Sequence, residues 1–158
     1  MTDHTSLPYR LNVGAVLFGP DGRVFVGKRI GIINAWQLPQ GGIDADEDPR
    51  AAVLRELLEE IGTDKAEVLG EHPGWLEYDL PPSLIGVAWG GKYRGQKQKW
   101  FALKFLGQDE DIQLDADSHP EFEDWTWVPL AELPDLAVDF KREIYEILAR
   151  DFAVYAVP

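Results

Sequence analysis

Hydrophobic residues alternate with polar or small residues along several short stretches, and this period of two predicts β-strands. Between the first two stretches, the Gly-Pro-Asp-Gly segment 19–22 is typical of a tight turn. The segments 80–91 and 108–120 lack the period and are rich in turn-forming or acidic residues, so we expect loops there. The predicted strands are 11–18, 23–28, a short extended piece at 36–39, 67–78 with a kink at 73–74, 99–106 and 125–128.

Two longer stretches follow the 3.6-residue period of an amphipathic helix. Pro49 suits the first turn of a helix over 49–61, and Gly62 is placed to end it. The side chains of this helix that should pack on a sheet are Val53, Leu54, Leu57 and Ile61. A single helical turn around 130–133 and a closing helix over 139–153 are also expected. Strands mixed with helices predict the α/β class, as one sandwich domain that spans residues 1–158.

Composition narrows the classes of function. A chain of 158 residues with 45% hydrophobic residues has ample material for a packed core. It contains no cysteine, no apolar run that is long enough to span a bilayer and no visible signal peptide, so we expect a cytoplasmic protein without a membrane partner. The formal net charge of −13 disfavours a long contact with a nucleic-acid backbone. It still allows a short polyanion that a metal ion and a few local cations hold.

The chemistry is concentrated on one face of the first helix. Glu56, Glu59 and Glu60 stand at i, i+3 and i+4, so their carboxylates share a face and repel one another unless a cation compensates. A cluster of hard oxygen ligands suits Mg²⁺ or Mn²⁺, which also bind phosphates. A solvated acidic face is the simpler interpretation of such a triplet. Two features favour a site instead: a Gly-Gly pair at 41–42 precedes the helix, and Arg55 can pair with the neighbouring acids.

The stretch 41–63 resembles the Nudix box, G-x5-E-x7-R-E-U-x-E-E-x-G-U, in which U is an aliphatic residue. The matching residues are Gly41, Glu47, Arg55, Glu56, Leu57, Glu59, Glu60 and Gly62. Thr63 departs from the pattern, at a position that packs rather than reacts. Because the match extends over the whole box, it is much more specific than a short glycine motif.

This resemblance implies the α/β/α Nudix sandwich with a mixed sheet and a site for Mg²⁺, with Mn²⁺ or Zn²⁺ as substitutes. The implied metal ligands are Glu56, Glu59, Glu60 and the carbonyl of Gly41. Glu47 and Arg55 match an orienting salt bridge. The implied reaction is the attack of water on phosphorus, with Glu56 as our first choice for the base and Glu60 as the second.

Segments outside the box are similar to one branch of the family, the RNA pyrophosphohydrolases and plant-type asymmetric diadenosine tetraphosphate hydrolases. The similar segments are 9–14, 36–42, 75–81, 93–101, 120–122 and 139–142. Leu11 departs from this branch, whose bacterial members often carry proline there. Glu121 matches a fourth metal-site carboxylate. The segments therefore imply a substrate that is a nucleotide polyphosphate.

Substrate contacts are expected from cations and aromatic rings. Lys97 and Lys99 alternate with glutamines, so both lysines should share one strand face from which they reach a phosphate chain. Arg29 is a further candidate for a phosphate. Two rings, Tyr78 and Phe140, are candidates for stacking on a base, although a core role is an alternative for each. The similar segments also imply contacts from Arg10, Gln96 and Lys141.

Two substrates stay open at this stage: a dinucleoside polyphosphate such as diadenosine tetraphosphate, and the triphosphorylated 5′ end of RNA. The acidic charge and the absence of a basic C-terminal extension tilt the expectation slightly toward the dinucleotide. A catalytically silent nucleotide-binding module is an alternative from another class, although no glutamate of the box is missing. A sanitiser of nucleoside triphosphates is a further alternative. Nothing in the sequence indicates an oligomeric state.

Overall fold

The computed structural model describes residues 7–31, 35–137 and 141–156 of the chain. Within these ranges, eight strands belong to one sheet. They are β1 (Tyr9–Phe18), β2 (Val24–Arg29), β3 (Trp36–Gln37), β4 (Gln40–Gly42), β5 (Ala66–Glu71), β6 (Leu76–Asp79), β7 (Gly95–Phe105) and β8 (Phe122–Val128). The predicted strand 67–78 is divided into β5 and β6, which both pair antiparallel with β7.

The sheet is mixed, as predicted, because its two long central strands run parallel. β1 pairs with β7 from Tyr9 opposite Gly95 to Phe18 opposite Lys104, whereas the other pairings are antiparallel. The path through the sheet is β3-β2-β1-β7-β5. β4 pairs with the middle of β1, β6 with β7 and β8 with β2. This arrangement brings the polar beginnings of β1 and β7 together with β4.

The helices have the local signals that their sequences predict. Helix α1 (Pro49–Ile61) begins after Asp48, whose carboxylate accepts a hydrogen bond from the backbone N–H of Ala51. It ends at Gly62, which has a φ of 79° and donates its N–H to the carbonyl of Leu58. The predicted turn at 130–133 is a 3₁₀ turn (Leu130–Glu132) that leads into α2 (Leu133–Leu136). The closing helix, α3, spans Arg142–Asp151 and is followed by a 3₁₀ turn (Ala153–Tyr155), whereas the first two residues of the predicted 139–153 lie outside the described residues.

The core has two halves, one on each face of the sheet. Helix α1 packs with Val13, Phe101 and Leu103 on one face. Helix α3 packs through Tyr145 and Leu148 with Trp100 on the other face. Helices therefore cover both faces, which confirms the predicted α/β sandwich with a mixed sheet. Among the described residues, no helix is both long enough and apolar enough to cross a membrane.

Candidate active site

Helix α1 divides its faces between the core and a cleft. Val53, Leu57 and Ile61 are at most 1% exposed and pack against the sheet, as the helical spacing predicts. Leu54 is only half-buried, at the edge of this face. The opposite side of α1 presents Glu56, Glu59 and Glu60 to a cavity. The sheet contact therefore fixes the direction in which the carboxylates point.

Glu60 is the most deeply placed of these acids. It is 5% exposed and accepts a hydrogen bond of 3.2 Å from the backbone N–H of Gln40 in β4. Burial raises its pKa well above the ordinary value, and the charges of Glu56 and Glu121 raise it further. A buried carboxyl group between two other acids is a place where a cation would be strongly stabilised.

Gly41 in β4 allows the second acid to approach the strand. A methyl group added at Gly41 would lie 2.0 Å from the carboxylate of Glu56. Glycine at this position therefore leaves the space that the Glu56 carboxylate occupies against β4. Burial raises the pKa of Glu56, and the neighbouring guanidinium of Arg55 opposes that rise.

Arg55 ties the loop before α1 to both the helix and β4. Its guanidinium donates two hydrogen bonds of 2.8 Å to Glu47 and one of 3.0 Å to the carbonyl of Gly42. It also donates to Glu56 at 2.9 Å and to Glu59 at 3.3 Å. These contacts with Arg55 lower the pKa of Glu47 to about 2. The salt bridge between Glu47 and Arg55 is thus present and holds the loop in place.

A cavity of about 440 Å³ joins this acidic group to a set of cations and a tyrosine. Its acidic lining residues are Glu56, Glu59, Glu60 and Glu121 beside Gly41, and the rest of its lining includes Arg10, Arg29, Lys141, Tyr78 and Gln96. Glu121 reaches the cavity from the loop before β8, where its carbonyl accepts a hydrogen bond of 3.0 Å from the N–H of Ile30. The cavity therefore holds both the carboxylates that a metal ion would require and the cations that a polyphosphate would require.

A chain of hydrogen bonds connects three of the residues that line this cavity. The Tyr78 hydroxyl accepts from Gln96 Nε2 at 2.6 Å, and Gln96 Oε1 accepts from Arg10 Nη1 at 2.9 Å. The Lys141 ammonium lies 5.8 Å from the centre of the Tyr78 ring. Burial lowers the pKa of Lys141 to about 8, and the charge of Arg29 acts in the same direction. Tyr78 is 8% exposed and also packs with the core, so it has both an apolar and a cavity surface.

Two predicted contacts do not lie in this cavity. Lys97 and Lys99 do share a strand face, but it is the face opposite to that of Gln96, which lines the cavity. Lys99 is 8% exposed and donates to the carbonyl of His72 at 2.7 Å, and it pairs with Glu71 at 3.1 Å. The expectation that these two lysines reach the phosphates is therefore corrected. Phe140, the second predicted ring, lies outside the described residues.

Sequence reasoning missed several residues that line the cavity. They are Asn12, Gln37, Gln40, Leu80, Leu84 and Ala88. Asn12 could have been found from the sequence, because it is a polar residue inside the apolar run of β1. It is buried, and its Oδ1 accepts a hydrogen bond of 3.0 Å from Gln98 Nε2. The apolar residues between 80 and 88 could not have been found in this way, because hydrophobic and polar positions follow no regular period in that segment.

The acidic residues suit a divalent cation by their chemistry, although they are not arranged as a finished ligand shell. Among the residues that the structure describes, no group of three acidic or histidine side chains stands at metal-ligand spacing. Arg55 pairs with Glu56 at 2.9 Å and with Glu59 at 3.3 Å. Four carboxylates and Gly41 still line the cavity, and hard oxygen donors of this kind fit Mg²⁺ or Mn²⁺.

Comparisons with known proteins agree with this geometry. A model of the NUDIX domain matches residues 8–148. An RNA pyrophosphohydrolase of Gluconacetobacter diazotrophicus is 58% identical, in an alignment that covers 100% of this chain and 99% of that protein. An RNA pyrophosphohydrolase of Acidiphilium cryptum is also 58% identical, over 99% of this chain and 97% of that protein.

Solved structures resemble the fold. An Ap4A hydrolase of C. elegans in a binary complex superposes with a TM-score of 0.67 at 21% identity, and the match covers 92% of this chain and 96% of that one. The dihydroneopterin triphosphate pyrophosphohydrolase of E. coli gives a TM-score of 0.67 at 19% identity, over 91% of this chain and 99% of that one.

Proposed function

We propose, from the premise that this chain belongs to the NUDIX family, that it removes pyrophosphate from the triphosphorylated 5′ end of RNA. The chain is a Nudix hydrolase, so its reaction is the hydrolysis of a phosphoanhydride bond. One observation carries the proposed reaction: four carboxylates and the cations Arg10, Arg29 and Lys141 line the same cavity, together with Tyr78. The names of the full-length relatives at 58% identity support the RNA end as the substrate.

Nudix hydrolases generally depend on a divalent metal, and we propose Mg²⁺ for this chain, with Mn²⁺ or Zn²⁺ as substitutes. The residues that would hold it are Glu56, Glu59, Glu60, Glu121 and the carbonyl of Gly41. When bound, the ion would neutralise the negative charge that develops on the phosphoryl oxygens. Arg55 compensates part of the negative charge of Glu56 and Glu59, two of the residues that would hold the ion.

The remaining roles in this proposal follow from position. Arg10, Arg29 and Lys141 donate to the phosphate oxygens and orient the chain for in-line attack. Tyr78 lines the cavity beside these cations and is the ring that contacts the base of the first nucleoside. Glu56 accepts the proton of the attacking water, with Glu60 as the alternative base. Glu47 and Arg55 do not touch the substrate, since they tie β4 and the loop that follows it to helix α1.

Dinucleoside polyphosphates such as diadenosine tetraphosphate are the second candidate substrates. The observation that favours them is that the cations form a short group inside a cavity, on a chain with a net charge of −13. Such a group suits a short polyphosphate, whereas an extended RNA contact would gain little from the acidic surface.

The deciding experiment offers the purified chain triphosphorylated RNA, diadenosine tetraphosphate and a nucleoside triphosphate side by side, in matched salt and Mg²⁺. Chromatography of the products identifies the bond that is cleaved. The proposal expects pyrophosphate or two phosphates and a monophosphorylated RNA, with a higher kcat/KM than for the other two. If kcat/KM is highest for diadenosine tetraphosphate, the second candidate replaces the first. If no substrate turns over, the silent binding module becomes the better interpretation.

A further inference from the structure

A second cavity of about 400 Å³ adjoins the first one, on the other side of Arg10. Half of its lining residues are aromatic or aliphatic: Tyr9, Leu11, Ile43 and Tyr93. Arg10, Gly42, Asp44 and Glu56 complete it, and three of these four also line the first cavity. The two cavities are therefore neighbours that share Arg10, Gly42 and Glu56 as a common boundary.

Leu11 is unusual for its strand. The residues of β1 from Asn12 to Phe18 are all buried, whereas Leu11 is 50% exposed and faces the second cavity. Tyr9 is held in place, because the Arg94 guanidinium lies 4.8 Å from its ring and pairs with Asp79 at 2.8 Å. An exposed leucine beside a fixed ring and Tyr93 is a surface on which the flat face of a base gains apolar contact.

Arg10 lies on the boundary between the two cavities. Its Nη1 donates to Gln96 in the first cavity, and its Nη2 is so close to Gly42 that a methyl group there would lie 2.6 Å from it. A phosphate that joins two nucleosides would pass this guanidinium. Beyond Arg10, the charged residues of the second cavity are Asp44 and Glu56, which repel a polyphosphate but accept hydrogen bonds from a base or ribose.

We propose that the second cavity binds a nucleoside that a phosphate links to the group held in the first cavity. This inference rests on the proposed function, because it deepens the substrate class of the same site. In a triphosphorylated RNA the nucleoside would be a later nucleotide, and in a dinucleoside polyphosphate it would be the second adenosine. Both sources present the same chemistry, an aromatic base on a phosphate tether.

The test compares how KM depends on substrate length. The substrates are ATP, triphosphorylated oligoadenylates of two, three and four nucleotides, and diadenosine tetraphosphate. The variants are Tyr93→Ala, Leu11→Glu, and Tyr93→Phe, which keeps the ring. Leu106→Glu is the matched control, since Leu106 is 57% exposed and lines neither cavity.

The parent chain should show a lower KM for a substrate long enough to reach the second cavity. Tyr93→Ala and Leu11→Glu should raise that KM by about fivefold or more, the loss expected for one stacked base, with kcat nearly unchanged. Tyr93→Phe and Leu106→Glu should keep the KM of the parent. If only the oligoadenylates show this lower KM, the nucleoside comes from RNA. If only diadenosine tetraphosphate shows it, the nucleoside comes from the dinucleotide.

Failure of the inference differs from failure of the proposed function. If the parent cleaves triphosphorylated RNA and the variants keep its dependence on length, the second cavity is no subsite and the function stands. If the parent does not cleave RNA, the proposed function fails. Titration of tryptophan fluorescence with AMP and with 5′-monophosphorylated triadenylate then still decides the inference. The inference is overturned if the parent binds the two ligands with equal affinity and Tyr93→Ala changes neither affinity.

Discussion

The contact between Gly41 and Glu56 leads to a quantitative prediction. A methyl group at Gly41 would lie 2.0 Å from the Glu56 carboxylate, whereas real Cβ atoms essentially never come closer than 3.0 Å to another atom. In Gly41→Ala, either the carboxylate or β4 must therefore move by at least 1.0 Å. A misplacement of about 1 Å in a reacting group can cost roughly 10² in rate. We expect kcat to fall by about that factor.

The assay is turnover of the substrate that the deciding experiment selects, with melting temperature as the measure of folding. Gly74→Ala is the matched control, because a methyl group at Gly74 meets no atom within 4 Å and its φ is not in the left-handed region. The control should keep both turnover and melting temperature. If Gly41→Ala folds normally and retains the kcat of the parent, then the position of Glu56 next to β4 is not needed for the reaction.

Four further predictions test other parts of the site. Glu60→Gln should slow turnover by about 10² or more in saturating Mg²⁺, and a rate near that of the parent would remove this carboxylate from the proposed mechanism. Removal of divalent ions by EDTA should abolish activity, and added Mg²⁺ should restore it; activity that persists in EDTA would contradict the metal site. Leu57→Ala should lower the free energy of unfolding by roughly 2–5 kcal/mol with little change in kcat per folded molecule, so a stable but inactive variant would mean that the helix faces are assigned wrongly. Because the Lys141 pKa is lowered to about 8, its positive charge is lost as the pH rises through that value, and KM should increase there; Lys141→Met should remove this step, and an unchanged step would assign it to another group.

Local sequence determined helix α1 and the acids on it. Its beginning depends on Asp48 and Pro49, and its end depends on the left-handed conformation of Gly62, all within a few residues of the helix itself. The spacing of the carboxylates on one face follows from helix geometry alone. The pairing of Arg55 with Glu47 is also short in range, since it closes one loop onto one helix turn. For these features the sequence and the structure agree.

Only the tertiary structure decided which strand residues meet those acids. β7 begins at Gly95 rather than at 99, because its polar first residues are held by pairing with β1, and a hydrophobic period cannot reveal that. The pairing also directs Gln96 to the cavity and Lys99 to the carbonyl of His72. Strand alternation shows that Lys97 and Lys99 share a face, but the sequence does not say which face covers the site. That choice depends on contacts between residues far apart in the chain, which local patterns do not encode.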